Sequence, residues 1–298
     1  MEKISIGLIG VGEMGKGIGH NLLKNGCKLF LANGHSMNNI VELEKQGACI
    51  VNGIEELCEN TSVIILCLPS SKEVESVCMA MGGLLQKIKK GSLILDCTTA
   101  WPDSTISLSN KFNKKGVIFI DSPLTRTPVE AMEGRLNCIF GGDKDNNILA
   151  TRILSFFCEN IFYAGSVGEA NKLKLFNNGL SLCAVALVSE IVKAAAKTNI
   201  DLFKFREIVS MGGANTAQFQ GIMKWLLDDD KDVLKFSLEN AIKDLGYLED
   251  IADRNGIEMS ITKRAHMSYE SAIKVFGKNV TLPYLCGYPS GSFKKQSK

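Results

Sequence analysis

The segment ISIGLIGVGEMG, from Ile4 to Gly15, decides the fold that we predict for this chain. An apolar run typical of a β-strand leads into three glycines spaced as G-x-G-x-x-G, and a helical pattern follows. In this setting Gly10 permits a tight turn, Gly12 lets the backbone approach a pyrophosphate, and Gly15 allows the helix to pack closely on the strand. The segment therefore predicts a dinucleotide-binding turn at the N-terminus of a helix.

Apolar runs continue to alternate with amphipathic stretches up to about residue 164, which predicts a mostly parallel sheet with helices on both faces. The principal strands are predicted at Ile4–Ile9, Lys28–Ala32, Ser62–Leu68, Ser92–Asp96, Val117–Asp121 and Asn137–Gly141. From Gly168 to Lys197 the pattern is one long helix, and only helical spacing follows it. We therefore predict an α/β Rossmann-like domain over residues 1–164 and an all-helical domain over 165–298, with the active site in the cleft between them.

The residue at the end of the second strand bears on the choice of cofactor. An acidic residue is expected there to bind the ribose hydroxyls of NAD, but the chain has Asn33. An amide does not repel the 2′-phosphate of NADP, so the sequence slightly favours NADP as the cofactor. No arginine follows to bind that phosphate, so NAD stays the alternative. Glu13 and Met14, in the first turn of the predicted helix, are also expected to contact the cofactor.

Composition argues against several other classes of protein. The 298 residues have a net charge of +2 and no strongly basic block, so we expect no nucleic-acid partner. No uninterrupted apolar stretch reaches the length of a membrane span, and the N-terminus lacks a signal-peptide pattern, so we expect a cytoplasmic protein without a membrane partner. The ten cysteines form no CxxC pair, which predicts free thiols and no metal site.

Four motifs, in order, resemble those of the β-hydroxyacid dehydrogenase family, which includes 3-hydroxyisobutyrate dehydrogenase and related semialdehyde reductases. They are Ile6–Gly15, Asp121–Gly142, Gly165–Asn178 and Lys243–Leu245. The resemblance runs from Ile4 to about Asp250. It implies an oxidoreductase that moves a hydride between NAD(P) and a small hydroxy acid or aldehyde acid.

The same resemblance implies that Lys174 is the catalytic lysine. A hydride that arrives at an aldehyde carbon leaves an alkoxide, which a positioned ammonium can stabilise and protonate. Asn178 lies one helical turn later on the same face and is expected to support this chemistry, with Asn177 contacting the substrate. The alternative is that Lys174 is a solvated surface lysine, like Lys172.

Two loops after predicted strands resemble segments that face the cofactor in the family. One contains Leu68 and Pro69, and the other contains Thr99, whose hydroxyl matches the one beside the nicotinamide. Both loops follow strands of a parallel sheet, where ligands of this fold bind.

Lys243 resembles the second lysine of the family, which approaches the cofactor from the helical domain. Adjacent residues on a helix face different directions, so we do not expect Lys243 to pair with Asp244, which is expected to orient the segment. An ion pair with Glu239, four residues earlier, is the alternative.

The substrate loop departs from the common family pattern, because most members carry Ser-Gly-Gly where this chain has Thr125, Arg126 and Thr127. Arginine is a planar, permanently charged fork that suits carboxylate, sulfonate or phosphate oxygens. The loop resembles that of sulfolactaldehyde reductases, so we expect these three residues to bind an anionic substrate with a second charged group. The alternative is that Arg126 points to solvent or ties down a helix end.

Three other functions remain as alternatives. The first is an ordinary 3-hydroxyisobutyrate-type dehydrogenase or semialdehyde reductase. The second is a non-catalytic dinucleotide-binding scaffold, against which the presence of Lys174 argues. The third is a decarboxylating 6-phosphogluconate dehydrogenase, whose helical domain is much longer. The resemblance to the family also implies that this chain forms a homodimer or a homotetramer.

Overall fold

The computed structural model describes residues 3–32, 36–143, 147–278 and 280–294. The chain divides into two compact units, Met1–Lys174 and Leu175–Lys298. The domain boundary expected after residue 164 lies earlier in the chain than this division and stays a prediction.

The first unit is built on a sheet whose six N-terminal strands are parallel to one another. The strands are β1 (Ser5–Ile9), β2 (Lys28–Ala32), β3 (Cys49–Val51), β4 (Val63–Leu66), β5 (Leu93–Asp96), β6 (Ile118–Asp121), β7 (Leu124–Thr125), β8 (Leu136–Gly141) and β9 (Cys158–Gly165). Their order is β3-β2-β1-β4-β5-β6-β8-β7, and β9 also pairs with β8. β8 is antiparallel to β6 and β7 and parallel to β9. The predicted mostly parallel sheet is confirmed.

Helices cover both faces of this sheet. They are α1 (Glu13–Lys24), α2 (Met37–Lys45), α3 (Gly53–Asn60), α4 (Ser71–Met79), α5 (Leu84–Lys87), α6 (Pro102–Asn113), α7 (Pro128–Glu133) and α8 (Asn147–Leu154). Strand β4 is buried on both faces as a result, because Val63 and Ile65 enter one apolar core while Ile64 and Leu66 enter another. A strand buried on both faces has no polar alternation, which is why the sequence shows continuous apolar runs here.

The second unit is helical. Helix α9 (Glu169–Lys197) begins in the first unit, and α10 (Leu202–Ser210), α11 (Ala217–Met223), α12 (Leu238–Arg254) and α13 (Ser260–Phe276) follow. A π-helical turn at Lys224–Asp228 extends α11, and a 3-10 turn lies at Leu282–Cys286. Helix α12 begins at Leu238, where the Ser237 hydroxyl caps it by accepting from the Asn240 amide at 3.1 Å. No strand follows β9 in the residues that the structure describes, as predicted.

Helix α9 bears on the expectation that no uninterrupted apolar stretch reaches the length of a membrane span. Among the described helices, it is long and apolar enough to cross a membrane by length and composition, although polar residues such as Asn177 and Asn178 interrupt its apolar sequence. The core helices of soluble proteins meet the same criterion, so the finding is weak evidence for a membrane span. The helix also exposes large apolar side chains, at Leu173, Phe176, Leu180, Leu187 and Ile191.

All ten cysteines are free, as predicted, and most of them are buried. Burial raises the pKa of the Cys97 thiol well above its usual value, and it raises that of Cys58 to about 11. Thiols with raised pKa values are poor nucleophiles, so these residues act as small apolar core side chains.

Candidate active site

The glycine-rich turn has the geometry that its sequence predicts. Gly10 has a φ of +96°, and a Cβ there would lie 2.1 Å from the carbonyl oxygen of Cys67. A Cβ at Gly15 would lie 2.0 Å from the Gly10 carbonyl oxygen. Gly12 is different, since its φ of −67° suits any residue and no described atom lies within 4 Å of an added Cβ. Protein packing therefore does not explain this glycine, and the open space is compatible with the predicted approach of a pyrophosphate.

The start of α1 offers an anion-binding helix terminus beside this open space. Glu13 and Met14 are its first residues, and the N–H groups of a first helical turn have no partner within the helix. A cavity of about 460 Å³ lies next to them, lined by Glu13, Ser36, Met37, Asn38 and Asn39. Among the described residues, its lining holds one carboxylate and no lysine or arginine. Asn33 lies outside the described residues, so its predicted contact with the cofactor stays a prediction.

The loops after β4 and β5 are joined by hydrogen bonds at the edge of the sheet that carries the glycine turn. The amide of Leu68 donates to the Thr98 hydroxyl at 3.1 Å, and the amide of Thr98 donates to the Asp96 carboxylate at 3.0 Å. Strands β1, β4 and β5 are parallel neighbours, so their carboxyl ends lie along one edge. The structure thus brings the predicted cofactor residues Leu68, Pro69 and Thr99 to the same edge as the turn.

Asp121, at the end of β6, anchors the start of α9. Its carboxylate is fully buried and accepts from the amides of Gly168 at 2.9 Å and Asn171 at 3.0 Å. Burial raises its pKa to about 6, although these amides favour the charged form. A Cβ at Gly141 would lie 2.8 Å from the Asp121 carboxylate, so glycine is needed there. The second and third sequence motifs therefore meet at this carboxylate.

Asn171 connects the first turn of α9 to the loop that holds Thr99. Its buried side chain accepts from the Ala100 amide at 2.9 Å and donates to the Thr105 hydroxyl at 3.2 Å. Lys174 follows three residues later, so it projects from nearly the same face of the helix, and it is only 7% exposed. The observed burial excludes the alternative in which Lys174 is an ordinary solvated lysine.

Asn178 and Asp244 form a buried polar contact in the second unit. The Asn178 amide donates to the Asp244 carboxylate at 2.6 Å, and the Asn178 oxygen accepts from Asn177 at 3.4 Å. Asn178 is 8% exposed and Asp244 is 1% exposed, whereas Asn177 is exposed. The carboxylate therefore fixes which way the Asn178 amide faces.

The expectation that Lys243 does not pair with Asp244 is wrong. The Lys243 ammonium lies 3.0 Å from the second carboxylate oxygen of Asp244, in the geometry of an ion pair without an aligned hydrogen bond. A long, flexible lysine side chain can reach the carboxylate of the adjacent residue, which the argument from helix faces did not consider. The carboxylate of Glu239, the alternative partner, lies 3.9 Å from the Lys278 ammonium.

In the substrate loop, Thr125 and Thr127 have different surroundings. Thr125 is the last residue of β7, and its hydroxyl accepts from the Asn137 amide at 3.2 Å. Thr127 caps helix α7, where its hydroxyl donates to the Glu130 carboxylate at 2.5 Å and accepts from the Val129 amide. Hydrogen bonding from Thr127 lowers the pKa of Glu130. The Thr127 side chain is thus occupied in a capping box, and the predicted contact with substrate is untested.

Arg126 is held on the protein surface by contacts of its own. Its φ is +79°, a conformation that glycine adopts without strain and that matches the glycine of the common family pattern. The guanidinium donates to the Glu159 carboxylate and to the carbonyl of Arg135, just beyond α7. These contacts correspond to the alternative in which Arg126 ties down a helix end, while anion binding by Arg126 stays a prediction.

Comparison with known families identifies the chain. Residues 5–165 match the family model described as the NAD binding domain of 6-phosphogluconate dehydrogenase. Residues 168–281 match the model described as the NAD-binding domain of NADP-dependent 3-hydroxyisobutyrate dehydrogenase. The chain belongs to the β-hydroxyacid dehydrogenase family. It is therefore an NAD(P)-dependent oxidoreductase that acts on CH–OH groups.

Relatives in this family match over almost the whole chain. Mitochondrial 3-hydroxyisobutyrate dehydrogenase of Mus musculus is 27% identical over 274 residues, which cover 90% of this chain and 82% of the relative. The 2-(hydroxymethyl)glutarate dehydrogenase of Eubacterium barkeri is 26% identical over 271 residues, 91% of this chain and 90% of that protein. A 3-hydroxyisobutyrate dehydrogenase of Mycobacterium tuberculosis, solved with L-serine, shares the fold with a TM-score of 0.84 at 17% identity, covering 96% of this chain and 99% of the other.

The residues that sequence reasoning missed are those that position the family's motifs. Asp121 belongs to one of the motifs but had no predicted role, and no role was predicted for Asn171 or Asn137. A usable signal existed for Asn171, which lies three residues before Lys174 on the helix. No local signal marks Asn137, because its contact to Thr125 depends on the pairing of two strands.

Proposed function

We propose that this enzyme interconverts a short 3-hydroxy acid and the corresponding aldehyde acid, with Lys174 as general acid and base. The observation that carries the proposal is the burial of Lys174, at 7% exposed, one helical turn before the buried Asn178. A lysine is almost never this buried unless it is paired or functional. The helix that bears it is anchored through Asp121 and Asn171 to the sheet edge that carries the glycine turn.

In the reducing direction, the nicotinamide supplies a hydride to the carbonyl carbon when the cofactor is bound. The Lys174 ammonium polarises the carbonyl oxygen, stabilises the negative charge that develops on it and donates a proton, leaving the alcohol and a neutral amine. In the oxidising direction the neutral amine of Lys174 takes the hydroxyl proton. Asn178, fixed by Asp244, hydrogen-bonds the substrate hydroxyl or the lysine. Positioning of this kind is worth several orders of magnitude in rate.

The substrate carboxylate is proposed to bind at Thr125, with Asn177 and the backbone around Thr127 contributing further donors. A second anionic group, as in sulfolactaldehyde, is proposed to bind Arg126. Relatives support a substrate with one anionic group and a substrate with two, since 3-hydroxyisobutyrate has one carboxylate and 2-(hydroxymethyl)glutarate has two. In a substrate with two anionic groups, the second group competes with Glu159 for the Arg126 guanidinium.

For the cofactor, we propose NADP with weak discrimination against NAD. Asn33 lacks the charge with which an acidic residue would exclude a 2′-phosphate. The neighbouring cavity holds Glu13 and no basic residue among those that line it, so the phosphate gains little there. Lys243 is proposed as a further cofactor contact by its resemblance to the family lysine. We also propose a cytoplasmic homo-oligomer, supported by the free thiols and by the apolar face of α9.

The experiment that tests the function follows NADPH and NADH oxidation with four aldehydes: methylmalonate, tartronate and succinate semialdehydes and sulfolactaldehyde. Lys174→Ala should lower kcat by about 100-fold to 10,000-fold, as expected for loss of a general acid. Lys172→Ala is the matched control, because Lys172 lies on the same helix and pairs with Glu169 at 2.8 Å. Full turnover by Lys174→Ala would contradict the proposal. Tight NADPH binding without turnover of any aldehyde would favour a non-catalytic scaffold.

The second anion is tested separately through Arg126→Gly. Glycine suits the φ of +79°, so the variant should fold. If Arg126 binds a second anion, KM for sulfolactaldehyde should rise about tenfold or more while KM for methylmalonate semialdehyde stays constant. Equal KM values for sulfolactaldehyde in the two proteins would reject this role.

A further inference from the structure

Three polar side chains lie in register across strands β7, β8 and β9. Thr125 pairs with Asn137, and Asn137 pairs with Asn160. Directly paired residues on neighbouring strands place their side chains on the same face of a sheet. The Asn160 amide nitrogen donates to the Asn137 oxygen at 2.9 Å, and the Asn137 nitrogen donates to the Thr125 hydroxyl oxygen at 3.2 Å.

The direction of this chain of hydrogen bonds decides what the Thr125 hydroxyl can do. With its oxygen accepting from Asn160, the Asn137 side chain presents a nitrogen to Thr125, and this nitrogen can only donate. The hydroxyl of Thr125 is therefore an acceptor toward Asn137 and keeps its own hydrogen. Within the described part of the chain, the recorded contacts of Thr125 include no protein acceptor for that hydrogen.

We propose that Asn137 and Asn160 are positioning residues that make Thr125 a hydrogen-bond donor to the substrate carboxylate. This inference rests on the proposed function, in which Thr125 binds that carboxylate. A carboxylate only accepts hydrogen bonds. A Thr125 hydroxyl that already donated its hydrogen to a neighbour would have none left for the carboxylate and would present only lone pairs to it. Asn160 thereby influences substrate affinity although its own side chain is exposed on an outer strand.

Asn160→Asp tests the direction of these two hydrogen bonds, while Thr125 and Asn137 themselves stay unchanged. An aspartate cannot donate to the Asn137 oxygen, but it can accept from the Asn137 nitrogen. The Asn137 side-chain amide should therefore flip, so that its oxygen and nitrogen exchange positions. Its oxygen would then face Thr125 and take the hydroxyl hydrogen from the substrate. The comparison variants are Asn160→Ala, which removes the donor without offering an acceptor, and Thr125→Val, which removes the hydroxyl. Kinetics are measured with methylmalonate semialdehyde, or with the aldehyde of the panel that has the highest kcat/KM.

We expect Asn160→Asp to raise KM about tenfold or more, close to the effect of Thr125→Val, because a hydrogen bond to a charged group is lost. Asn160→Ala should have a smaller effect, and kcat should stay within about twofold in both Asn160 variants because Lys174 is unchanged. In the Thr125→Val background, Asn160→Asp should have no further effect on KM. Thermal unfolding of each variant shows whether the sheet is intact.

Two results would overturn the inference. One is an unchanged KM in Asn160→Asp. The other is an equal rise in KM with and without the Thr125 hydroxyl, which would indicate a general charge effect. If Thr125→Val itself leaves KM unchanged, the proposed carboxylate site fails instead, and this outcome is distinct from the first two.

Discussion

The carboxylate of Asp244 accepts a hydrogen bond of 2.6 Å from the amide of Asn178, and both side chains are buried. This contact joins two helices of the second unit, α9 and α12, through residues that are far apart in the sequence. It restricts the Asn178 amide to one orientation, in which its oxygen faces away from the carboxylate.

Asp244→Asn should therefore impair catalysis more than folding. The substitution keeps the shape of the side chain but sets an amide against the Asn178 amide, so Asn178 loses its fixed direction. We expect kcat to fall about 100-fold, a size typical of misplaced catalytic groups. Asp253→Asn is the control on the same helix, since Asp253 is exposed and pairs with Lys263 at 3.0 Å. Wild-type kcat in Asp244→Asn would show that Asn178 needs no such support.

The glycine turn allows packing and cofactor binding to be separated. Gly12→Ala should leave the free energy of unfolding within about 1 kcal/mol of wild type, because the φ is ordinary and the space is open. It should nevertheless raise the dissociation constants of NADPH and NADH at least about tenfold, since the Cβ would occupy the path of the pyrophosphate. Fluorescence titration and urea unfolding measure the two quantities.

Gly10→Ala, unlike Gly12→Ala, should lower the free energy of unfolding. Its Cβ would meet the Cys67 carbonyl oxygen at 2.1 Å in a backbone with a φ of +96°. We expect a loss of about 3 kcal/mol in the free energy of unfolding, from strain and overlap together. If Gly12→Ala were destabilised as strongly as Gly10→Ala, the assignment of the open space at Gly12 to the cofactor would be wrong.

Asp121 should make stability depend on pH in a direction unusual for a carboxylate. Its pKa is raised from 3.8 to about 6 by burial, so the folded protein binds a proton more tightly than the unfolded chain. The contribution of Asp121 to stability is therefore largest below about pH 4 and declines as the pH rises to about 6. Asn cannot titrate, so the stability difference between wild type and Asp121→Asn should shrink by about 3 kcal/mol over that range. Urea unfolding between pH 4 and 7 measures it, and a constant difference would reject the raised pKa.

The apolar face of α9 should be covered by a second copy of the chain. Leu180 is 79% exposed and Leu187 is 62% exposed, on a helix that exposes other large apolar residues. Leu180→Glu should convert an oligomer to monomers in sedimentation experiments, because burying an unpaired charge is costly. Ile208→Glu, at a residue that is 71% exposed on α10, is the matched control and should leave assembly unchanged. A monomeric wild-type protein would refute the proposed interface.

The sequence by itself determined the parts of this protein that local patterns encode. Strand and helix periodicity, set by backbone geometry, predicted most elements and the α/β-then-helical order. The glycine turn was predicted from its immediate neighbours, whereas the role of Lys174 was predicted from the resemblance to the family.

Only the tertiary structure decided how the motifs act on each other. The Lys243–Asp244 ion pair, the Asp121 anchor of α9 and the contact of Arg126 with Glu159 depend on side-chain direction, strand register and chain reversal. Asn137 reaches Thr125 because β7 and β8 pair antiparallel at that position. A shift of one residue in that pairing would turn each side chain to the other face of the sheet, and neighbouring residues in the sequence do not encode this choice.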